Sequence, residues 1–268
     1  MLKKRETFWN EKVVIITGSS RGIGRETARY LGKLGAKIVL NGRNVDRLRE
    51  TTHELYREGC EVTFEAGDVS SRKDMDRLVA RAVDAHGGVD VLINNAGLSM
   101  RGPFGRISEE LARNLTDVNL LGSVIPTVAA LEELKKSKGS VAFISSAAGL
   151  RGFPNVSIYS ATKMALRALA ESLSAEVGPE GVHAGVFYLG FTENDPDKEI
   201  LSAEGTPIKV TRSWQHTQRE AAMAIAEAIR KRKRRAVFTA PGKLLALAQR
   251  LSPSLVDWAV SRARVHGK

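Results

Sequence analysis

A single cysteine, Cys60, among 268 residues leaves nothing with which to form an internal disulfide. That excludes a cross-linked secreted scaffold and favours a reducing, cytoplasmic setting, with Cys60 as a small apolar filler where a buried strand begins. Long apolar runs are also missing. The most hydrophobic stretch, 118–134, is interrupted by Asn119, Ser123, Pro126 and Thr127, so it reads as a buried helix and not as a membrane span. Lys3, Lys4 and Arg5 are not followed by an apolar core of signal-peptide length, so no secretory leader is expected. There is no internal repeat, and no Pro/Gly/Ser-rich linker divides the chain. The expectation is therefore one domain over 1–240 with an extension of the same domain over 241–268.

What is present fits a soluble globular body, with 43% hydrophobic and 26% charged residues. The net charge of +11 is compatible with an anionic cofactor, an acidic protein, nucleic acid or an acidic lipid surface, and by itself chooses none of them. Short β-branched runs at 13–17, 37–41, 61–65, 89–93, 140–144, 183–188 and 236–239 alternate with helical stretches such as 24–34 and 74–86. This alternation predicts an α/β fold: a doubly wound, seven-stranded parallel sheet flanked by helices and joined by right-handed crossovers.

Directly after the first run stands Thr17-Gly18-Ser19-Ser20-Arg21-Gly22-Ile23-Gly24, opening into a helix. A turn there needs left-handed backbone angles, close approach to a pyrophosphate and helix N–H groups aimed at it, which Gly18, Gly22 and Gly24 permit. Dinucleotide binding follows, with Ser20, Arg21 and Ile23 in the same loop. NAD would require a carboxylate at the end of the second strand to hold its ribose diol. The chain has Leu40-Asn41-Gly42-Arg43-Asn44 instead. Arg43, joined by Arg21, is suited to a ribose phosphate, so NADP(H) is the expected cofactor.

The pattern resembles the short-chain dehydrogenase/reductase family, whose glycine loop matches 17–24 in full. Asp68 and Val69 match that family's adenine contact, Asn94-Asn95-Ala96-Gly97 its motif beside the cofactor ribose, and Tyr159-x-x-x-Lys163 its catalytic pair. Ser146 lies thirteen residues before the tyrosine, and Asn119 stands where the family interrupts a helix with asparagine. The resemblance covers residues 12 to about 239. It implies an enzyme acting on CH–OH groups and a homodimer or homotetramer formed through helix faces. It also implies that Lys163 holds the nicotinamide ribose and that Asn119 anchors a water serving that lysine.

The chemistry is consistent with the residues themselves. Tyr159 and Lys163, four apart on a helix, share a face. A phenol with an ordinary pKa near 10 gives up its proton more readily beside an ammonium, making Tyr159 the acid or base. Ser146, at a strand end, would stabilise charge on the substrate oxygen. Hydride would pass between nicotinamide and a carbonyl or alcohol, with reduction the favoured direction. A catalytically silent NADP(H) sensor or scaffold is the alternative, and the intact Ser146, Tyr159 and Lys163 argue against it. An epimerase or dehydratase would need a longer substrate region.

Where the family has Pro-Gly and a threonine four beyond the glycine, this chain has Leu189, Gly190 and Asn194, with Thr192 at the position of a carboxamide contact. Without the proline, the following segment, 191–216, is expected to be a mobile substrate lid. It mixes Phe191, Ile200, Leu201 and Trp214 with Glu193, Asp195, Asp197, Lys198 and Glu199. Leu98, Met100, Leu150, Phe153 and Tyr188 are candidate linings for an apolar pocket, pointing to a lipid-like, steroid-like or aromatic substrate. The run 230–235 is wholly basic and reads as the solvated end of a helix beginning near Gln218.

The ending 241–268 is unlike that of family members that reduce acyl-carrier-protein substrates. Leu244, Leu245, Leu247 and Leu251, then Leu255, Trp258 and Ala259, predict two short amphipathic helices with Lys243, Arg250, Arg262 and Arg264 on other faces. Such a tail would cover the cleft, pack on another subunit or lie peripherally on an acidic membrane; nucleic acid is not expected.

Overall fold

The structure is a computed structural model and describes residues 7–193, 195, 198–209 and 216–263. Lys3, Lys4, Arg5, Asn194, Asp197, Trp214 and Arg264 lie outside the described residues.

The expected strands form, with small shifts: β1 (Val13–Ile16), β2 (Lys37–Gly42), β3 (Val62–Ala66), β4 (Val91–Asn94), β5 (Ser140–Ser146) and β6 (His183–Leu189). A hairpin of β7 (Glu199–Leu201) and β8 (Pro207–Lys209) precedes the last sheet strand, β9 (Arg235–Val237). The main sheet has the order β3-β2-β1-β4-β5-β6-β9, and every neighbouring pair is parallel. The direction of growth reverses between β1 and β4, which opens a crevice beyond the carboxyl ends of these strands.

The helices are α1 (Gly22–Gly32), α2 (Val45–Arg57), α3 (Arg72–His86), α4 (Glu109–Thr116), α5 (Gly122–Ser137), α6 (Ser157–Val177), α7 (Gln218–Arg230), α8 (Ala240–Leu251) and α9 (Pro253–Ala263). Local chemistry sets their ends. The side chain of Ser71 accepts from the Asp74 N–H at the start of α3, and Gly87, at φ 87°, ends it in a left-handed cap. α7 opens with a reciprocal Thr217–Glu220 capping box. Thr239, expected to end the last strand, instead caps α8, its hydroxyl accepting from Gly242 N at 3.2 Å.

Alternate residues of the strands feed two cores. Val14, Ile16, Ile38, Leu40 and Phe187 pack with Leu31, Leu48, Ile225 and Ile229 on one face. Val13, Ile15, Val39, Phe143 and Tyr188 pack with Met75, Leu78, Leu134 and Leu166 on the other. Both faces are covered, as a parallel sheet requires. Cys60 is buried and free, and Gly32 makes room for it: a Cβ there would stand 2.7 Å from its sulfur.

Candidate active site

The glycine loop is shaped by contacts that leave no space for side chains. Gly18 has φ +61°, and a Cβ on it would meet the Ala96 backbone at 2.7 Å; one on Gly24 would meet the Gly18 carbonyl oxygen at 2.5 Å. Gly22 also has φ +61°. These are positions only glycine fills without strain. Thr17 ties the loop to the end of β4. Its hydroxyl accepts from Asn95 N at 3.0 Å and Ala96 N at 3.1 Å, while Asn95 Nδ2 donates to the carbonyls of Thr17 and Gly18, each at 2.9 Å. Gly18, Gly24, Asn95 and Ala96 thus form one rigid cradle beside the start of α1. No side-chain cap bond is made at Arg21, so first-turn N–H groups remain available to an anion.

A carboxylate already stands near that helix end. Asp195, from the predicted lid, has an oxygen 3.4 Å from where a Gly22 Cβ would be. It accepts from Gln218 Nε2 at 3.0 Å and lies 3.7 Å from the Arg25 guanidinium. In the sequence Asp195 is only one acid among several in 191–216, with nothing to single it out.

On the adenosine side, Ser20 sits under Gly42, its hydroxyl 3.3 Å from a Cβ built there. Ile23 packs against the first core. Arg21 and Arg43 are exposed, and Arg43 lies 3.9 Å from Asp68. Asp68 accepts from Ser70 N and Oγ at 2.8 and 2.6 Å, and its own N–H donates to Asp74 at 2.9 Å. That bond, more than Arg77 nearby, holds the Asp74 carboxyl below its ordinary range. Asp74 is thus a positioning residue that sequence reasoning missed. The Val69 side chain points into the second core, leaving its backbone for contact with a base.

Ser146 ends β5 beside Leu189 of β6, its hydroxyl accepting from Ala148 N at 3.2 Å. Thirteen residues on, Tyr159 lies in the first turn of α6, half-buried against the cluster of Met100, Leu111 and Leu115. One turn further, Lys163 is buried and donates to the Ile144 carbonyl at 3.0 Å. No carboxylate among the described residues pairs with it. Burial lowers its pKa to about 8, and the like charge of Lys198 adds to the effect. A Cβ on Gly97 would lie 3.2 Å from both Lys163 Nζ and Asn119 Oδ1, so this glycine keeps a side chain from crowding the ammonium.

Asn119 lies in a π-helical turn, Asp117–Leu121, between α4 and α5. Its side chain is committed: Oδ1 accepts from Leu98 N at 2.8 Å, and Nδ2 donates to Leu98 O at 3.0 Å and Thr162 Oγ1 at 3.1 Å. The asparagine therefore locks the loop after β4 onto α6, leaving its main-chain carbonyl, which accepts from Ser123 at 3.1 Å, to hold any water.

The expected pocket lining needs correction. Tyr188 and Met100 are core residues, at 2% and 0% exposure, and Leu150 packs against the second core. Leu98, Tyr159 and Leu201, partly buried around Met100, form an apolar wall at the turn of α6 that carries Tyr159 and Lys163. The lid is more regular than its sequence suggests. The β7–β8 hairpin is pinned by Leu201, which donates to Ser99 O at 2.9 Å and accepts from Arg101 N at 2.8 Å. Gly190 faces Thr239, where a Cβ would meet a methyl at 2.3 Å, and Thr192 forms a bridge with His216.

The residues fit a dinucleotide: side-chain-free glycines face a rigid backbone, a helix start attracts an anion, and a buried cation faces Gly97 unpaired by carboxylate. Among the described residues no group of three or more His, Cys, Asp or Glu is placed to hold a metal ion.

Comparison with known proteins agrees. The family model described as short chain dehydrogenase matches residues 12–205. Dehydrogenase/reductase SDR family member 4 of Sus scrofa is 35% identical over 198 residues, 72% of this chain and 70% of that protein. Dehydrogenase/reductase SDR family member 7B of Bos taurus is 32% identical over 280 residues, 99% of this chain and 85% of that protein. Among solved structures, an actinorhodin polyketide ketoreductase variant with NADPH superposes with a TM-score of 0.66 at 32% identity, over 68% of this chain and 71% of that one.

Proposed function

The chain belongs to the short-chain dehydrogenase/reductase family, and from that premise we propose that it is an NADP(H)-dependent oxidoreductase interconverting an apolar carbonyl compound and its alcohol. The observation that carries this reading is the buried Lys163, one helical turn beyond Tyr159 and facing the side-chain-free Gly97.

NADP(H) would be held by the cradle of Gly18, Gly24, Asn95, Ala96 and Gly97, with Ser20, Gly22 and Ile23 in the same loop. Asp68 and Val69 would flank the adenine, and Gly190 and Thr192 the nicotinamide end. Arg43 and Arg21 favour a ribose phosphate. Both are exposed, and no carboxylate stands at the end of β2 itself to repel a phosphate or hold a free diol. When bound, the nicotinamide supplies or accepts the hydride. Ser146 Oγ would donate to the substrate oxygen and stabilise negative charge growing there. Tyr159 would hand its phenolic proton to that oxygen in reduction and take it back in oxidation. The Lys163 ammonium lowers the free energy of the phenolate left behind and binds ribose hydroxyls. Asn119 keeps the loop after β4 against α6.

The apolar wall of Leu98, Tyr159 and Leu201 supports an apolar substrate. Exposed Leu121 and Val128 on or beside α5, with Met164 on α6, support a homodimer or homotetramer formed through helix faces.

The test is Tyr159→Phe, assayed for NADPH oxidation against aldehydes, ketones, quinones and steroids alongside NADPH binding by fluorescence. The expected result is loss of turnover by roughly 10²–10⁴-fold with binding nearly intact. Unchanged turnover would remove Tyr159 from the mechanism. NADPH binding without turnover by the parent protein on every substrate class would favour the silent sensor.

A further inference from the structure

Surface helices of globular proteins ordinarily turn their apolar stripe inward; α8 does the reverse. Leu244, Leu247 and Leu251 point outward at 53–73% exposure, and the stripe continues onto α9 through Leu255 and Trp258. The spacings of three and four place Leu244, Leu247 and Leu251 on one side of α8, and the spacing of three places Leu255 and Trp258 on one side of α9. Of the thirteen exposed large hydrophobics among the described residues, five fall in these fifteen positions. A patch so concentrated marks a surface built to be covered.

We infer that this outward face of α8 and α9 docks on an anionic lipid surface. Charge selects the occupant. Lys243 and Arg250 are exposed along one edge of the leucine stripe, and Arg262 stands over the Trp258 ring, 4.4 Å from its centroid. Residues 240–268 hold five lysines and arginines against one acid, Asp257. That acid is paired with Arg151 at 2.9 Å. Leucines bounded by cations, with a tryptophan at the end, are what an interfacial helix presents to headgroups and acyl chains. A second copy of the chain fits worse, because two-fold pairing would bring Lys243, Arg250 and Arg262 toward their own counterparts with no free acid on the face.

The basic run 230–235 does not supply this attraction. It leads into the amino end of β9, whereas α8 leaves from the carboxyl end, and it is largely engaged: Arg230 and Lys231 pair with Glu227, Arg232 donates to the carbonyls of Lys138, Gly139 and Gly181, and Arg235 pairs with Glu171.

The face is fixed beside the cleft. α8 leaves the sheet at the strands' carboxyl ends, where Ser146 lies, and the Arg151–Asp257 pair ties α9 to the loop following Ser146. Docking would therefore hold the cleft near the bilayer, where an apolar carbonyl compound is most concentrated. This consequence for substrate delivery rests on the proposed function, whereas the docking itself does not.

The test is flotation of the full-length protein with vesicles of phosphatidylcholine alone and of phosphatidylcholine with phosphatidylserine. The expected result is association with the phosphatidylserine vesicles, at least about tenfold weaker for phosphatidylcholine and weakened by salt. Leu247→Glu with Leu251→Glu should abolish it, and Lys243→Glu with Arg250→Glu should reduce it. All four positions are exposed, and an unchanged thermal midpoint would verify folding of the variants. No flotation, equal flotation with both vesicle types, or a leucine variant that dissociates an oligomer while floating normally would each overturn the inference; the last would assign the face to a second copy. Turnover of a water-soluble carbonyl without vesicles reads the proposed activity separately.

Discussion

Lys163 carries a conflict between stability and chemistry. With its pKa lowered from 10.5 to about 8, it is a base held less protonated in the folded state than in the unfolded one. Below about pH 8 both states carry the charge and the folded protein bears the full penalty, roughly 3 kcal/mol at about 1.4 kcal/mol per pKa unit. Between pH 8 and 10.5 the penalty fades, and above that it is gone. Lys163→Met should therefore abolish turnover yet stabilise the protein at pH 7. The gain should be about 2 kcal/mol after some 1 kcal/mol is subtracted for the Ile144 carbonyl left unpaired. Denaturant melts at pH 7 and pH 10.5 check this, because the gain should largely vanish at the higher pH. A variant less stable at pH 7 would mean that Lys163 is held without strain. Carbonyl reduction should in turn decline as pH rises through about 8, because a neutral lysine no longer stabilises the phenolate. The apparent pKa read from that profile belongs to the Tyr159–Lys163 pair.

At the scale of elements, the contact between lid and glycine loop makes its own prediction. Asp195 stands 3.4 Å from the Gly22 Cβ position, where a pyrophosphate would bring its negative charge. Asp195→Asn removes a competing anion while keeping an acceptor for Gln218. NADPH should then bind tighter by up to about tenfold, or 1.4 kcal/mol, as titrated by fluorescence. Weaker binding would show instead that the carboxylate serves by orienting Arg25.

This contact leaves no trace in the sequence. The sheet strands were legible because each is a β-branched run flanked by turn residues, and the candidate catalytic set could be named because its members keep fixed offsets along the chain. Asp195 against Gly22 is a pairing 173 residues apart in a stretch rich in acids, with no periodicity to reveal it. The β7–β8 hairpin was hidden for a similar reason: its strands are three residues each, too short for an alternation pattern, and Leu201 is placed by backbone bonds to Ser99 and Arg101. Tyr188 looked like a pocket residue because an aromatic at a strand end fits either role. Strand parity sends its ring into the second core, where burial raises its hydroxyl pKa.

For the molecule as a whole, cofactor binding and stability are linked, because the cradle joining the β1 loop, β4 and α6 exists only when the sheet is folded. Ligand at a hundred times its Kd adds about 2.7 kcal/mol, which for a chain of this size is a rise in thermal midpoint of roughly 5–10 °C. NADPH should produce a larger rise than equimolar NADH, since only the former carries the ribose phosphate that Arg43 and Arg21 are proposed to meet. Arg43→Asp sharpens the test. Arg43 is exposed, its nearest acid, Asp68, is 3.9 Å away, and Asp68 keeps its bonds to Ser70 without it. The substitution should thus leave the cofactor-free midpoint nearly unchanged. It should shrink the NADPH shift, lowering the preference for NADPH by at least about tenfold, and spare the NADH shift. Equal NADPH shifts in parent and variant would assign phosphate recognition to another group, with Arg21 next in line. Loss of both shifts would mean that the substitution disturbed the β2–α2 turn itself.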